Sequence, residues 1–92
     1  MFVIIVGGGK TGSQLAAQRM HGGHEIRLSE DRPAVLERLK QELPEKILID
    51  GDGSSPDVLE SAGVRRANAL AAVTGEDEAN LVITTLARYE FN

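Results

Sequence analysis

The stretch that most constrains the fold is FVIIVGGGKTG, at residues 2–12. Its apolar run is rich in Val and Ile and lacks polar alternation, which predicts a strand buried on both faces, as in a parallel sheet. Gly7, Gly9 and Gly12 follow with G-x-G-x-x-G spacing, and a helical pattern begins at Thr11. A strand, a tight turn and a helix in this order predict a phosphate site at the start of the helix. The alternative is a turn that holds no ligand.

Strands and helices are predicted to alternate over the rest of the chain. Asp31 is the expected N-cap of the second helix, because Pro33 suits the first turn that follows it. The predicted strands are residues 2–6, 25–29, 46–50 and 69–73, and the predicted helices are residues 11–21, 33–43, 56–62 and 78–89. This βαβαβαβα order implies parallel pairing with right-handed crossovers.

The expected fold is therefore α/β, a Rossmann-like parallel sheet with strand order 3-2-1-4 and helices on both faces. In that arrangement a ligand crevice lies between strands 1 and 4, at their carboxyl ends. The last strands of a full domain are missing. We expect residues 1–92 to be a single nucleotide-binding domain, and a fragment or N-terminal lobe of a longer protein.

Composition narrows the classes of partner. Apolar residues at 41% and charged residues at 26% are typical of a globular protein. A net charge of -4 argues against nucleic acid as the main partner, because phosphate-backbone binding needs clustered Lys and Arg. Without cysteine there is no disulfide or thiolate metal site, and no apolar segment approaches the roughly 20 residues that cross a bilayer. We expect a cytoplasmic protein with no metal and no direct membrane insertion, held at any membrane by a partner.

Glu30 is the main candidate for nucleotide selectivity. It follows the second predicted strand, about 20 residues after the glycines, where a carboxylate hydrogen-bonds the ribose hydroxyls. A carboxylate there disfavours a 2′-phosphate, which favours NAD or a simple adenine nucleotide over NADP. The alternative is a solvated acid before a helix, and the adjacent Asp31 and Arg32 are interpreted as a cap and a surface residue. The GKT triplet is not a triphosphatase phosphate loop, because that motif needs glycine where this chain has Ile4.

Several short motifs, taken in order, resemble one family. They are VGGGKTG at residues 6–12, the GDG turn at residues 51–53, and VLESAGVRRANALAAVTGEDEANL at residues 58–81. Together with Glu30 they are similar to the TrkA-type N-terminal domain, the nucleotide-binding lobe of regulators of potassium conductance. The resemblance covers nearly the whole chain, and its second half is more specific than the glycines.

The resemblance also implies where a nucleotide binds. Carried over by position, the binding residues are Gly7, Gly8, Gly9, Lys10, Thr11 and Gly12 around the phosphates, Glu30 with Asp31 at the ribose, Asp52 and Gly53 at the adenine, Thr74 and Gly75 in the crevice from strand 4, and Asn80 in the D-E-x-N signature. The family usually has aspartate in place of Glu30, often a second acid in place of Arg32, and in some members an arginine in place of Lys10. No catalytic residue is implied.

The function that the resemblance implies is regulatory rather than enzymatic. Members bind NAD(H), ATP, ADP or AMP and form dimers or larger rings beneath a membrane-embedded potassium channel or transporter, whose ion flux they gate. One alternative is the cofactor-binding part of an NAD-dependent dehydrogenase, although no positioned general acid or base supports it. Another is a structural oligomerisation lobe with an empty crevice.

Overall fold

Four strands and three α-helices alternate along the residues that the computed structural model describes, which are 1–53 and 55–73. In chain order the elements are β1 (Phe2–Val6), α1 (Lys10–His21), β2 (Glu25–Glu30), α2 (Pro33–Glu42), a 3-10 turn (Glu45–Ile47), β3 (Leu48–Asp50), α3 (Pro56–Ala62) and β4 (Ala69–Ala72). The order of strands and helices is the predicted one. The predicted last helix, residues 78–89, lies outside the described residues.

The four strands form one sheet in the order β3-β2-β1-β4, and every neighbouring pair is parallel. Val3 of β1 is in register with Ile26 of β2 on one side and Ala69 of β4 on the other. The predicted strand order and Rossmann-like α/β class are therefore confirmed. The carboxyl ends of β1 and β2 lie side by side, and the glycine-rich turn follows β1 at that edge.

The core lies on both faces of β1, whose five residues are all buried. On one face, Val3 and Ile5 pack with side chains from α1, β2 and α2, including Ala16, Ile26 and Leu39. The opposite face is a second cluster, made by Phe2, Ile4, Val6, Leu59 and Ala62. A strand covered on both sides has no reason to alternate apolar and polar residues, which explains the continuous apolar run in the sequence.

Several element boundaries differ from the predictions by one residue, and the start of the third strand and the N-cap of α2 differ in ways that have a local cause. The third strand begins at Leu48 rather than at residue 46, because Glu45–Ile47 form a 3-10 turn in which the Ile47 N–H donates to the Pro44 carbonyl at 3.2 Å. The prediction of Asp31 as N-cap of α2 was wrong. Arg32 is the N-cap residue, and no side chain at that position caps the helix.

The described helices are also too short or too polar to cross a membrane.

Candidate functional site

The turn after β1 depends on glycine at its first position. Gly7 has a φ of 104°, in the left-handed region that favours glycine. Its N–H donates to the Ser29 carbonyl at 2.9 Å, which continues the pairing of β1 with β2 by one bond beyond the end of β1. The chain then turns away from the sheet and enters α1 at Lys10.

The other two motif glycines differ in what surrounds them. A Cβ on Gly12 would overlap the carbonyl oxygen of Gly7 and lie 3.1 Å from Val73 Cγ2, so the first turn of α1 needs glycine to pack against the preceding loop. Among the described residues, a Cβ on Gly9 would meet nothing nearer than Arg32 Nη2, at 4.0 Å. Gly12 is therefore needed for packing, whereas the described residues leave the space above Gly9 open.

The start of α1 offers backbone N–H groups to that open space. The Ser13 N–H donates to the Gly9 carbonyl at 2.9 Å, which is the first bond of the helix. The N–H groups of residues 10–12 precede it and have no partner within the helix. Unpaired N–H groups and the helix dipole both favour an anion at this end. Lys10 and Thr11 are exposed beside it.

Glu30 is the centre of the site. Its side chain is only 3% exposed, and its carboxylate accepts five hydrogen bonds. Oε1 accepts from the Gly8 N–H at 2.8 Å and from Arg32 Nη2 at 3.0 Å. Oε2 accepts from the N–H groups of Asp31 and Arg32, at 3.0 and 2.9 Å, and from Arg32 Nε at 2.9 Å. Glu30 thus joins the glycine turn to the two residues that precede α2, whose backbone N–H groups it binds.

These contacts keep Glu30 ionised. Burial alone would raise its pKa. The hydrogen bonds from the Arg32 side chain, from the N–H groups of Arg32 and Gly8, and the Arg32 charge outweigh burial and lower the pKa of Glu30 from 4.5 to about 2. The reciprocal contact raises the pKa of Arg32. Glu30 is therefore a buried anion at neutral pH, not the solvated acid of the alternative interpretation.

Two residues of α2 that the sequence did not single out hold the glycine turn in place. Arg38 Nη2 donates to the Gly8 carbonyl oxygen at 3.0 Å. A Cβ on Gly8 would overlap Leu39 Cδ1 and lie 3.3 Å from Glu30 Oε1, so a larger residue at this position would displace the Leu39 side chain that packs against the turn. The backbone of Gly8 is thus bound at its N–H by Glu30 and at its carbonyl by Arg38. A basic residue in the middle of an amphipathic helix gave no signal of this contact.

The turn after β3 reaches the same edge of the sheet. Gly53 is buried, and a Cβ there would overlap Val6 Cγ1 and lie 2.8 Å from Ser29 Oγ. Asp52 is exposed beside it. The Ser29 hydroxyl is buried and has no hydrogen-bond partner among the described residues. Gly53 therefore has a packing reason for being glycine that is independent of any ligand.

The structure brings together most, but not all, of the candidate residues. The glycine turn, Glu30 and Gly53 meet at the carboxyl ends of β1, β2 and β3. Asp31 is exposed and contributes its backbone N–H to Glu30. Thr74, Gly75 and Asn80 lie outside the described residues. Within the described ranges no group of three or more His, Asp and Glu side chains is arranged to hold a metal ion.

Comparison with known families decides which Rossmann-like protein this is. The model of the TrkA-N domain matches residues 3–92. The chain belongs to the TrkA-N domain family. The resemblance inferred from the GDG turn and the motifs of the second half is thereby confirmed.

Curated relatives of this TrkA-N domain are potassium uptake proteins by name. The chain is 32% identical over 89 residues to the "Trk system potassium uptake protein TrkA homolog" of Pyrococcus horikoshii, which covers 97% of the chain and 39% of that protein. It is 36% identical over 88 residues to the homolog of Methanothermobacter thermautotrophicus, covering 96% of the chain and 40% of the relative. It is 35% identical to TrkA of Haemophilus influenzae over the whole chain, which is 20% of that protein. The TrkA-N domain thus spans two fifths or less of these relatives.

Proposed function

We propose that this TrkA-N domain binds NAD(H) or an adenine nucleotide (ATP, ADP or AMP) and that its occupancy regulates a potassium uptake system. The observation that carries the proposal is the contact between the glycine turn and Glu30. The Gly8 N–H donates to a buried, ionised carboxylate at the carboxyl end of the adjacent strand. A phosphate-binding turn and a ribose-binding acid on neighbouring parallel strands are the two parts that a Rossmann nucleotide site requires.

The described residues fit such a ligand. The phosphates would lie over Gly9, where the described residues leave the space open and where α1 begins with N–H groups that have no partner within the helix. Lys10 and Thr11 are exposed at the rim of this space. The ribose hydroxyls would bind Glu30, and the adenine would extend toward the turn at Asp52 and Gly53. By resemblance, Thr74, Gly75 and Asn80 complete the site.

The regulatory part of the proposal is supported by the relatives. Proteins named for Trk potassium uptake share the whole domain with this chain. We therefore infer a cytoplasmic, non-catalytic domain that works as a homodimer or larger ring against a membrane-embedded potassium transporter or channel subunit. A nucleotide shifts such an assembly only if it binds one conformation more tightly than the other.

Calorimetric titration of the 92-residue chain with NAD, NADH, ATP, ADP and AMP tests the binding step. Glu30→Gln keeps the size of the side chain and removes its charge, so we expect it to weaken binding of the preferred nucleotide by roughly tenfold or more. Glu37→Gln is the matched control, because Glu37 is 72% exposed on the outer side of α2 and pairs only loosely with Lys40, at 3.8 Å. Equal affinity of the wild type and Glu30→Gln would refute the ribose assignment.

Potassium uptake tests the regulatory step. In the organism that encodes the chain, deleting its gene should alter potassium uptake at low external potassium, and the wild-type gene should restore it. A Glu30→Gln gene should restore less, or should make uptake insensitive to the cellular nucleotide pool. Normal regulation by a variant that no longer binds nucleotide would favour a structural oligomerisation lobe, and nucleotide binding without any uptake phenotype would favour the dehydrogenase alternative.

A further inference from the structure

Arg32 binds the carboxylate oxygens of Glu30 that a ribose would need as hydrogen-bond acceptors. Its guanidinium donates one hydrogen bond to each carboxylate oxygen, from Nη2 to Oε1 at 3.0 Å and from Nε to Oε2 at 2.9 Å. The other three donors are the backbone N–H groups of Gly8, Asp31 and Arg32, which belong to the turn and to the start of α2. A carboxylate has about four lone-pair sites, so five donors leave it saturated.

A ribose presents the same pattern of donors as the guanidinium. Its adjacent 2′ and 3′ hydroxyls supply two O–H groups, one for each oxygen of a carboxylate. The guanidinium fork supplies two N–H groups in a similar spacing. Removing the Arg32 side chain would free one acceptor position on each oxygen and leave the backbone bonds in place.

Arg32, not Glu30, is the partner that is able to leave. The Arg32 side chain is 59% exposed, whereas that of Glu30 is 3% exposed. Every hydrogen bond that the guanidinium makes to a described residue ends on Glu30. Among the described residues, moving the guanidinium into solvent breaks only these two bonds, whereas moving Glu30 would also free three backbone N–H groups.

We propose that Arg32 competes with the nucleotide for the ribose subsite. Its guanidinium binds both carboxylate oxygens of Glu30 until the diol of a nucleotide displaces it. The inference rests on the proposed nucleotide-binding function. It makes Arg32 a residue that sets affinity and selectivity for the ribose. The contrary view is that Arg32 contacts the nucleotide directly, for example at a 2′-phosphate, and the two views predict opposite effects of removing it.

Two pairs of ligands separate these views in calorimetric titrations of wild type and Arg32→Ala. ADP is compared with 2′-deoxy-ADP, which lacks one hydroxyl, and NADH with NADPH, whose 2′-phosphate blocks that hydroxyl. We expect Arg32→Ala to raise the preference for ADP over 2′-deoxy-ADP by roughly tenfold, because only an intact diol satisfies both freed acceptors. These two ligands carry the same charge, so their ratio cancels the general loss of positive charge near the phosphates. The NADH and NADPH pair tests the contrary view, which predicts that NADPH affinity falls when Arg32 is removed.

Two further variants act as controls. Arg32→Lys supplies a single ammonium group in place of the fork, so its ratio should fall between those of wild type and Arg32→Ala. Arg65→Ala removes the same charge from another exposed arginine, which pairs with Glu60 at 2.9 Å outside the site, and should leave both ratios unchanged. Thermal unfolding of each variant shows that it is folded.

The outcomes distinguish this inference from the function on which it rests. An unchanged or lower ratio in Arg32→Ala, with binding still lost in Glu30→Gln, would overturn only the role of Arg32. A specific loss of NADPH affinity in Arg32→Ala would instead make Arg32 a 2′-phosphate ligand. Absence of binding by all four ligands in both proteins would overturn the inference together with the proposed function.

Discussion

Replacing Glu30 with glutamine should change how the free energy of unfolding depends on pH. In the folded protein the pKa of Glu30 is lowered from 4.5 to about 2 by Arg32 and the surrounding N–H groups, against the opposing effect of burial. A carboxylate with a lowered pKa in the folded state stabilises the protein above its unfolded pKa. That stabilisation is lost as the pH falls through the folded pKa.

The size of the effect follows from the difference between the two pKa values. A shift of about 2.5 units corresponds to about 3 kcal/mol at neutral pH. The same relation leaves most of this at pH 4.5, roughly half near pH 3 and little at pH 2. A domain of this length has a total stability of about 5–14 kcal/mol, so the contribution is a large part of the whole. The stability gap between wild type and Glu30→Gln should therefore be near 3 kcal/mol at pH 7 and should close between about pH 4.5 and pH 2.

Urea denaturation at a series of pH values, followed by far-UV circular dichroism, measures this gap. Other carboxylates titrate in both proteins, so the difference between the two curves isolates Glu30. Glu37→Gln, at an exposed position, should change stability by less than about 1 kcal/mol throughout. A gap that stays constant from pH 7 to pH 2.5 would refute the conclusion that this network holds Glu30 ionised. If Glu30→Gln does not fold, the same measurement is made on Arg32→Gln, and its loss of stability between pH 7 and acid pH is compared with that of the wild type.

Four other substitutions test the packing around the site by chemical denaturation. Gly12→Ala should lower the free energy of unfolding by about 2–3 kcal/mol, because its Cβ would overlap the Gly7 carbonyl. Gly9→Ala should lower it by no more than about 1 kcal/mol and should act mainly on nucleotide affinity. Equal losses in the two variants would contradict this. Leu39→Ala, at a fully buried position that supports the glycine turn, should lower the free energy of unfolding by about 2–5 kcal/mol. A loss below about 1 kcal/mol would show that α2 packs more loosely against the turn than the structure indicates. Ser29→Ala removes a buried hydroxyl without a partner among the described residues, so it should be neutral within about 0.5 kcal/mol or stabilising, and clear destabilisation would indicate a hydrogen bond there.

The fold was largely predictable from the sequence, because it depends on pattern. A continuous apolar run means a strand covered on both faces, and four strands separated by helices allow few parallel arrangements. The boundary errors came from local effects that such patterns do not contain. Pro44 lies before a segment that closes into a 3-10 turn, which delays β3 by two residues relative to the prediction.

The site was predictable in its position but not in its internal contacts. The strand order places Glu30 beside the glycine turn, whichever rotamer it adopts. Arg32 was interpreted as a surface residue, and its side chain is indeed 59% exposed, yet its guanidinium is bound to a buried carboxylate. Arg38 likewise reaches a backbone carbonyl from an otherwise exposed position. Such contacts depend on the directions of long side chains, which residue spacing alone does not determine.

The saturation of Glu30 also explains how its charge can be buried when the proposed nucleotide site is empty. A buried charge that loses its partner is strongly destabilising, so an acid that bound only ribose would weaken the fold whenever no nucleotide was present. If Arg32 is displaced as proposed, Glu30 is satisfied in both states, by the guanidinium without nucleotide and by the diol with it. Loss of the Arg32 side chain should therefore be measurable as a change in stability. Without ligand, Arg32→Ala should unfold at a lower temperature than the wild type. Saturating nucleotide should then raise its unfolding temperature by more than that of wild type, because stabilisation by a ligand increases as Kd falls.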